Sequence, residues 1–329
     1  MGCAKENPRK KRDSGLTSRC VAGGVHCPYG KGMTDAALTY DDNPRARLRD
    51  PAYFALHLAA IAAIREVGSM GWYDSHFLRR REIACTYLAK VRPDLVDDFR
   101  AGFAPLQPAA GFRELPIKDV FDAATIETIR TISRAVPASI HDNQDRENAA
   151  FGRDVVWDHP YFLDLQEQVR PRIEALVGTP LTSSYNFLSR YGAQGKCQLH
   201  MDHPDSMYTF DYCIDQDAVW PIYLSRTVDW PTTAFARSFD PQSIIADPGY
   251  DFGEHLLQPN QALLFCGSSQ WHHRRPKVAG GFCHLLFFHY IPTGCEALVD
   301  PACWATHFGI GELDALCDLF RDPSVDGMP

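Results

Sequence analysis

A chain of 329 residues that is 45% hydrophobic and 22% charged can bury a sizeable core and reads as a globular protein. Its net charge of −8 excludes the broad basic surface of a general nucleic-acid binder. The longest apolar run, YFALHLAAIAAI at 53–64, is too short to cross a bilayer, and the charged N-terminus lacks a signal-peptide core, so no membrane partner is expected.

In chain order, residues 1–33 include PRKKR at 8–12 and are expected to form a flexible basic tail. Cys20, His26 and Cys27 within it lack a local fourth ligand for a metal. From 34 to 180 the apolar spacing predicts a helical region. PAYFALHLAAIAAIREV opens on a proline suited to a first helical turn, and HFLRRREIACTYLAKV, DAATIETIRTISRAV and PYFLDLQEQVRPRIEALV repeat apolar residues every three or four positions. Trp157-Asp158-His159-Pro160 reads as a loop and helix start, with Asp158 near the N-cap.

Beyond about 182 the texture changes. Short segments rich in aromatic and β-branched residues follow one another between turn residues: SSYNFLSRY, KCQLHMD, MYTFDYCI, AVWPIYLS, EHLLQPNQALLFCG and GFCHLLFFHYIP. Such spacing predicts an antiparallel sandwich or barrel, supported by the helical first half in an α+β fold. Residues 301–329 are expected to form a C-terminal helix. Eleven cysteines occur without a C-x-x-C pair, and Cys213, Cys266 and Cys283 sit in apolar runs, as small buried hydrophobes do in a reducing cytoplasm, the expected compartment.

The stretch CQLHMDHPD holds His-x-Asp twice, at His200–Asp202 and His203–Asp205. A strand places residues i and i+2 on one face, so His-x-Asp aims an imidazole and a carboxylate at one point. A second histidine from a later strand completes a three-ligand face of the kind non-haem Fe(II) enzymes use, with open positions opposite. With 13 histidines the dipeptide spacing alone is a weak signal, and context decides. His200 ends an alternating run, whereas His203 precedes Pro204, which suits a chain leaving a strand. The first copy is the better ligand pair.

In this context the sequence resembles the 2-oxoglutarate and Fe(II) dependent oxygenases, in particular their prolyl-hydroxylase-like branch. FLSRYGAQGKCQLHMD is similar to that family's approach to the metal, where an arginine–tyrosine strand, a glycine turn and a short strand deliver His-x-Asp. LLFCGSSQWHHRRPKVAGGFCHLLFFHY resembles its last core strands, and the likeness runs from about 182 to 292. The resemblance implies a double-stranded β-helix (jelly-roll or cupin-like) catalytic core over 181–300. It further implies Fe(II) held by His200, Asp202 and a distal histidine, with 2-oxoglutarate and O2 as co-substrates. The distal ligand is His272 or His273; the spacing to Pro276 and Gly280 favours His272. Tyr191 fits the tyrosine that bonds 2-oxoglutarate, with Tyr212 as a second candidate.

One feature departs from the family pattern. Where an arginine or lysine would hold the far carboxylate of 2-oxoglutarate stand Phe282 and Cys283, and the nearest polar residue on that strand is His284, whose charge depends on pH. Arg274, Arg275, Lys277, Lys196 and Arg190 are the other candidates, and an arginine suits a carboxylate best. The expected reaction is oxidation of an unactivated C–H bond of a small polar metabolite such as an amino acid, with a peptide side chain as runner-up. The carboxylate at Asp202 favours hydroxylation over halogenation; desaturation or cyclisation would use the same site. The alternatives are a metal oxygenase on the same barrel that does not use 2-oxoglutarate, and a non-catalytic binding protein with a degenerate site.

Overall fold

Asp50 caps the helix Pro51–Val67 by accepting from the amide of Ala52, and Gly68 closes it in a positive-φ conformation. Asp122 caps Ala123–Ala135 in the same way through Thr125, and Pro160 opens Pro160–Val177, which Gly178 ends in the left-handed region. These helices, with His76–Val91, lie where the apolar periodicity puts them. The computed structural model describes residues 44–321 apart from 69, 73, 139–143, 233, 236–237 and 279. The basic tail and its Cys20, His26 and Cys27 lie outside the described residues. No helix among the described residues is long and apolar enough to cross a membrane.

Among the described residues ten strands form two antiparallel sheets. The larger holds, in spatial order, β1 (Leu115–Ile117), β8 (Ala262–Phe265), β5 (Tyr208–Gln216), β10 (Cys283–Pro292), β3 (Leu181–Tyr191) and β2 (Arg153–Trp157). The smaller holds β4 (Cys197–His200), β9 (Gln270–Arg274), β6 (Ile222–Thr227) and β7 (Gly253–His255). From β3 onward the chain passes repeatedly between them, with β4, β6, β7 and β9 in the small sheet and β5, β8 and β10 in the large one.

The alternation of side chains along β3, β5 and β10 divides the core in two. On one face of the large sheet Leu188, Phe210, Tyr212, Leu286, Phe288 and Tyr290 join the helices in one apolar cluster. On the other, Phe187, Tyr191, Cys213, Cys283, Leu285 and Phe287 pack against Ile222 and Leu224 of the small sheet. The described cysteines are free thiols, and Cys213, Cys266 and Cys283 are fully buried.

Two sequence expectations are corrected. Strands β1 and β2 lie inside the region expected to be helical; RDVVW is short, and only its pairing with β3 makes it a strand. Among the described residues the segment after 301 is not one helix but two short ones, Trp304–Phe308 and Asp314–Phe320, separated by Gly309 at positive φ. Asp158 does lie next to the N-cap, which is His159; it sits at φ 45° with its carboxylate accepting from the amide of Asn186.

Candidate metal centre and its cavity

His200 and His272 are opposite partners in the β4–β9 ladder, so their rings meet with centroids 4.1 Å apart. Each imidazole directs Nδ1 at the carbonyl oxygen two residues earlier, His200 at Gln198 (2.9 Å) and His272 at Gln270 (3.0 Å). A carbonyl only accepts, so both Nδ1 atoms carry a proton and each Nε2 is left as the atom that a metal would take. Both Nε2 atoms converge on Asp202 Oδ1, 3.3 Å from His200 and 3.4 Å from His272.

Asp202 follows β4 and is held from two sides. Its amide donates to the carbonyl of Gly267 (2.9 Å), and its Oδ2 accepts from the Thr209 hydroxyl (3.2 Å). Gly267 is glycine for a steric reason: a Cβ there would overlap Asp202 Oδ2 and lie 2.5 Å from Thr209 Oγ1. Among the described residues these three form the only cluster of metal-ligating side chains, their ligand atoms all within 4.8 Å. Burial opposes the charge of Asp202, but the two imidazoles hold its carboxyl well below the usual carboxylate range. Burial likewise opposes the imidazolium of His200, while the Cys197 sulfur and Asp202 raise its pKa well above the ordinary histidine value. Two imidazole nitrogens and a carboxylate oxygen, with the tautomers fixed by backbone carbonyls, suit a divalent first-row metal.

His273, the alternative distal ligand, lies on the other face of β9. It stacks on Tyr223 at 5.0 Å and touches Phe252, and burial, followed by the Arg275 charge, lowers its pKa to about 4.

The triad opens on a cavity between the sheets with about 620 Å³ of empty space, counting its mouth. Its cationic end holds Arg153, Tyr191, Cys197 and Arg274. Arg153 on β2 gives Nε to Glu147 (2.6 Å) and Nη1 to the Tyr191 hydroxyl (2.9 Å), and Tyr191 lies opposite it in the ladder. Arg274, two residues after His272 and on the same face, gives Nη2 to Asp211 (2.5 Å) and Nη1 to the carbonyl of Trp220 (2.6 Å). At the other end are Asp74, Thr209, Tyr185 and His289, with Phe187 and Phe287 between. Burial raises the Asp74 carboxyl to about 6, which leaves it ionised at neutral pH.

The other sequence candidates lie elsewhere. Tyr212 has the opposite parity to Thr209 on β5, so it faces the helices, packs on Phe121 and bonds Asn260. His284 has the opposite parity to Phe287 on β10 and packs on Phe282 outside the cavity. Arg190 bonds Asp154 and the carbonyls of Ser133 and Val136, Arg275 covers Tyr223, and Lys277 reaches the Phe282 carbonyl. Lys196 does not line the cavity. Arg153 and Asp74 were not singled out from the sequence: each belongs to a segment without a motif, 47 and 126 residues before His200 respectively, and only the fold brings them to it.

No protein-family model and no curated protein matches the sequence. Among solved structures, HygX from Streptomyces hygroscopicus, determined with nickel and 2-oxoglutarate bound, is 15% identical with a TM-score of 0.43, over 55% of this chain and 83% of that one. SnoN, described as a non-haem alpha-ketoglutarate-dependent epimerase from nogalamycin biosynthesis, is 13% identical with a TM-score of 0.41, over 57% and 81%. AviO1 from Streptomyces viridochromogenes Tue57 is 12% identical with a TM-score of 0.39, over 55% and 90%.

Proposed function

We propose that the protein is a non-haem Fe(II) and 2-oxoglutarate dependent oxygenase built on a double-stranded β-helix of the prolyl-hydroxylase-like type. The alternation of strands between the two sheets supports the fold reading. One observation carries the function: two imidazole Nε2 atoms and one carboxylate oxygen converge at the wall of a half-enclosed cavity whose far end is cationic. His200, Asp202 and His272 would hold the iron, leaving its remaining positions toward the cavity. When bound, Fe(II) with 2-oxoglutarate and O2 supplies the oxidising power to break an unactivated C–H bond.

The residues of the chain do the rest. Gln198 and Gln270 fix the imidazole tautomers, while Thr209 and the Gly267 carbonyl hold Asp202 in place. Arg153 and Tyr191 are the better anchor for the far carboxylate of 2-oxoglutarate. Both terminal nitrogens of Arg274 are engaged, by Asp211 and Trp220, whereas Arg153 commits one to Tyr191 and leaves the phenolic proton available to donate. Phe187, Phe287, Ile222 and Phe265 line the middle of the cavity with apolar surface and limit access of water to the reacting bond. The substrate is read as a small metabolite and the outcome as hydroxylation, Asp202 keeping its carboxylate at the centre.

The test is anaerobic. Adding Fe(II) and then 2-oxoglutarate to metal-free protein is expected to give the visible charge-transfer band of the chelate, and His200→Ala and His272→Ala are expected to abolish it. Iron binding without a band would remove 2-oxoglutarate from the reading; no iron binding would remove the enzyme.

A further inference from the structure

The end of the cavity away from Arg153 and Arg274 is chemically its opposite. Tyr185 and Tyr191 are six residues apart on β3, roughly 20 Å at strand rise, so the two ends are separate regions. Near Tyr185 the β3–β10 register slips by one residue between the pairs Asn186–Phe288 and Ser183–Tyr290. The bulge sets Tyr185 on His289, rings 4.2 Å apart and 19° from parallel. Phe187 lies 13° from parallel with His289 and 20° from Phe287, so four rings form one aromatic shelf.

His289 is 2% exposed, and its Nδ1 points at the Tyr185 carbonyl (3.3 Å), which fixes the proton there. Its Nε2, an acceptor in that tautomer, makes no hydrogen bond among the described residues, and His289 lines the cavity. The second acceptor is Asp74, whose side chain is 25% exposed. It receives only a long bond from the His203 amide (3.4 Å), with His76 Nδ1 at 3.7 Å. No lysine or arginine lines this end. Acceptors and aromatic faces without a permanent cation disfavour carboxylates and phosphates and favour an ammonium, which gains from both a carboxylate and a ring face.

We infer that this end binds a substrate amine, the ammonium between Asp74 and His289 Nε2 and an apolar or aromatic body against the Tyr185–Phe187–Phe287–His289 shelf. The inference rests on the oxygenase reading for the meaning of "substrate", and it makes Asp74 a specificity-determining residue of that reaction.

The test is equilibrium binding of three matched probes to metal-free protein at neutral pH: tryptamine, tryptophol and indole-3-propionate. Tryptamine is expected to bind about tenfold tighter than tryptophol, with indole-3-propionate weakest. Asp74→Asn is expected to remove the tenfold preference and leave tryptophol unchanged. Asparagine keeps the shape and tolerates the φ of 68° at this position, so the fold is preserved. In the wild type, added salt should weaken tryptamine alone. Equal affinities, failure of tryptamine to bind, or a preference that survives Asp74→Asn overturns the inference. A chelate band without amine preference overturns this inference alone; amine preference without the band leaves the amine site and removes the dependence on 2-oxoglutarate.

Discussion

His200 and His272 face each other across the β4–β9 ladder, and each bonds the carbonyl two residues before it through Nδ1. The same local device on two paired strands fixes both rings in one tautomer with Nε2 toward Asp202. A ligand set ordered before any metal arrives loses little conformational freedom on binding.

Metal affinity should follow this construction. His200→Ala, Asp202→Ala and His272→Ala are each expected to weaken Fe(II) or Co(II) binding, measured anaerobically by calorimetry, by more than about 100-fold. Thr209→Val, which removes the hydroxyl that bonds Asp202 Oδ2 and the Ser206 carbonyl, should cost about 10-fold. Wild-type affinity in His272→Ala, with loss in His273→Ala, would reverse the assignment of the distal ligand.

Gly267→Ala should act on the metal site without changing any of the three ligand residues. The added methyl must displace the Asp202 carboxylate or the Thr209 hydroxyl. We expect loss of metal binding comparable to Asp202→Ala and a destabilisation of about 1–3 kcal/mol, the usual range for overpacking, read from urea unfolding of metal-free protein.

The co-substrate anchor can be separated from its rival by titrating 2-oxoglutarate against the Fe(II) protein. Tyr191→Phe should raise the dissociation constant about tenfold, as loss of a hydrogen bond to a charged group does. Arg153→Met should raise it further. Because it removes the guanidinium paired with the buried Glu147, it is best made together with Glu147→Gln. A larger loss in Arg274→Met with Asp211→Asn than in the Arg153 pair would move the anchor to Arg274.

Acid should destabilise the metal-free protein in part through His273. Its folded pKa is about 4 against about 6.5 unfolded, so between those values the unfolded chain binds more protons and stability falls as the pH drops. His273→Phe keeps the ring on Tyr223 and removes the proton site. The fall in urea midpoint from about pH 7.5 to 5 should be shallower in this variant; an unchanged slope would clear His273 of any part in it.

The sequence by itself determined what short-range pattern can encode. Capped amphipathic helices and alternating strands gave the α+β division. His-x-Asp on a strand end picked out the His200–Asp202 pair, because a period of two and a proline after His203 are local facts, while His272 was favoured over His273 only through its family-like spacing to Pro276 and Gly280. Tertiary structure alone decided which side of each strand faces the cavity. Tyr191 lines it while Tyr212 and His284 do not, since a strand's parity acquires meaning only once its neighbours are known. It also decided that β2 exists at all, and so that Arg153 comes opposite Tyr191. Asp74 was equally out of reach, on a segment with no motif. Both residues enter the cavity through contacts over tens to more than a hundred residues, and pairing at that range leaves no periodic trace in the chain that makes it.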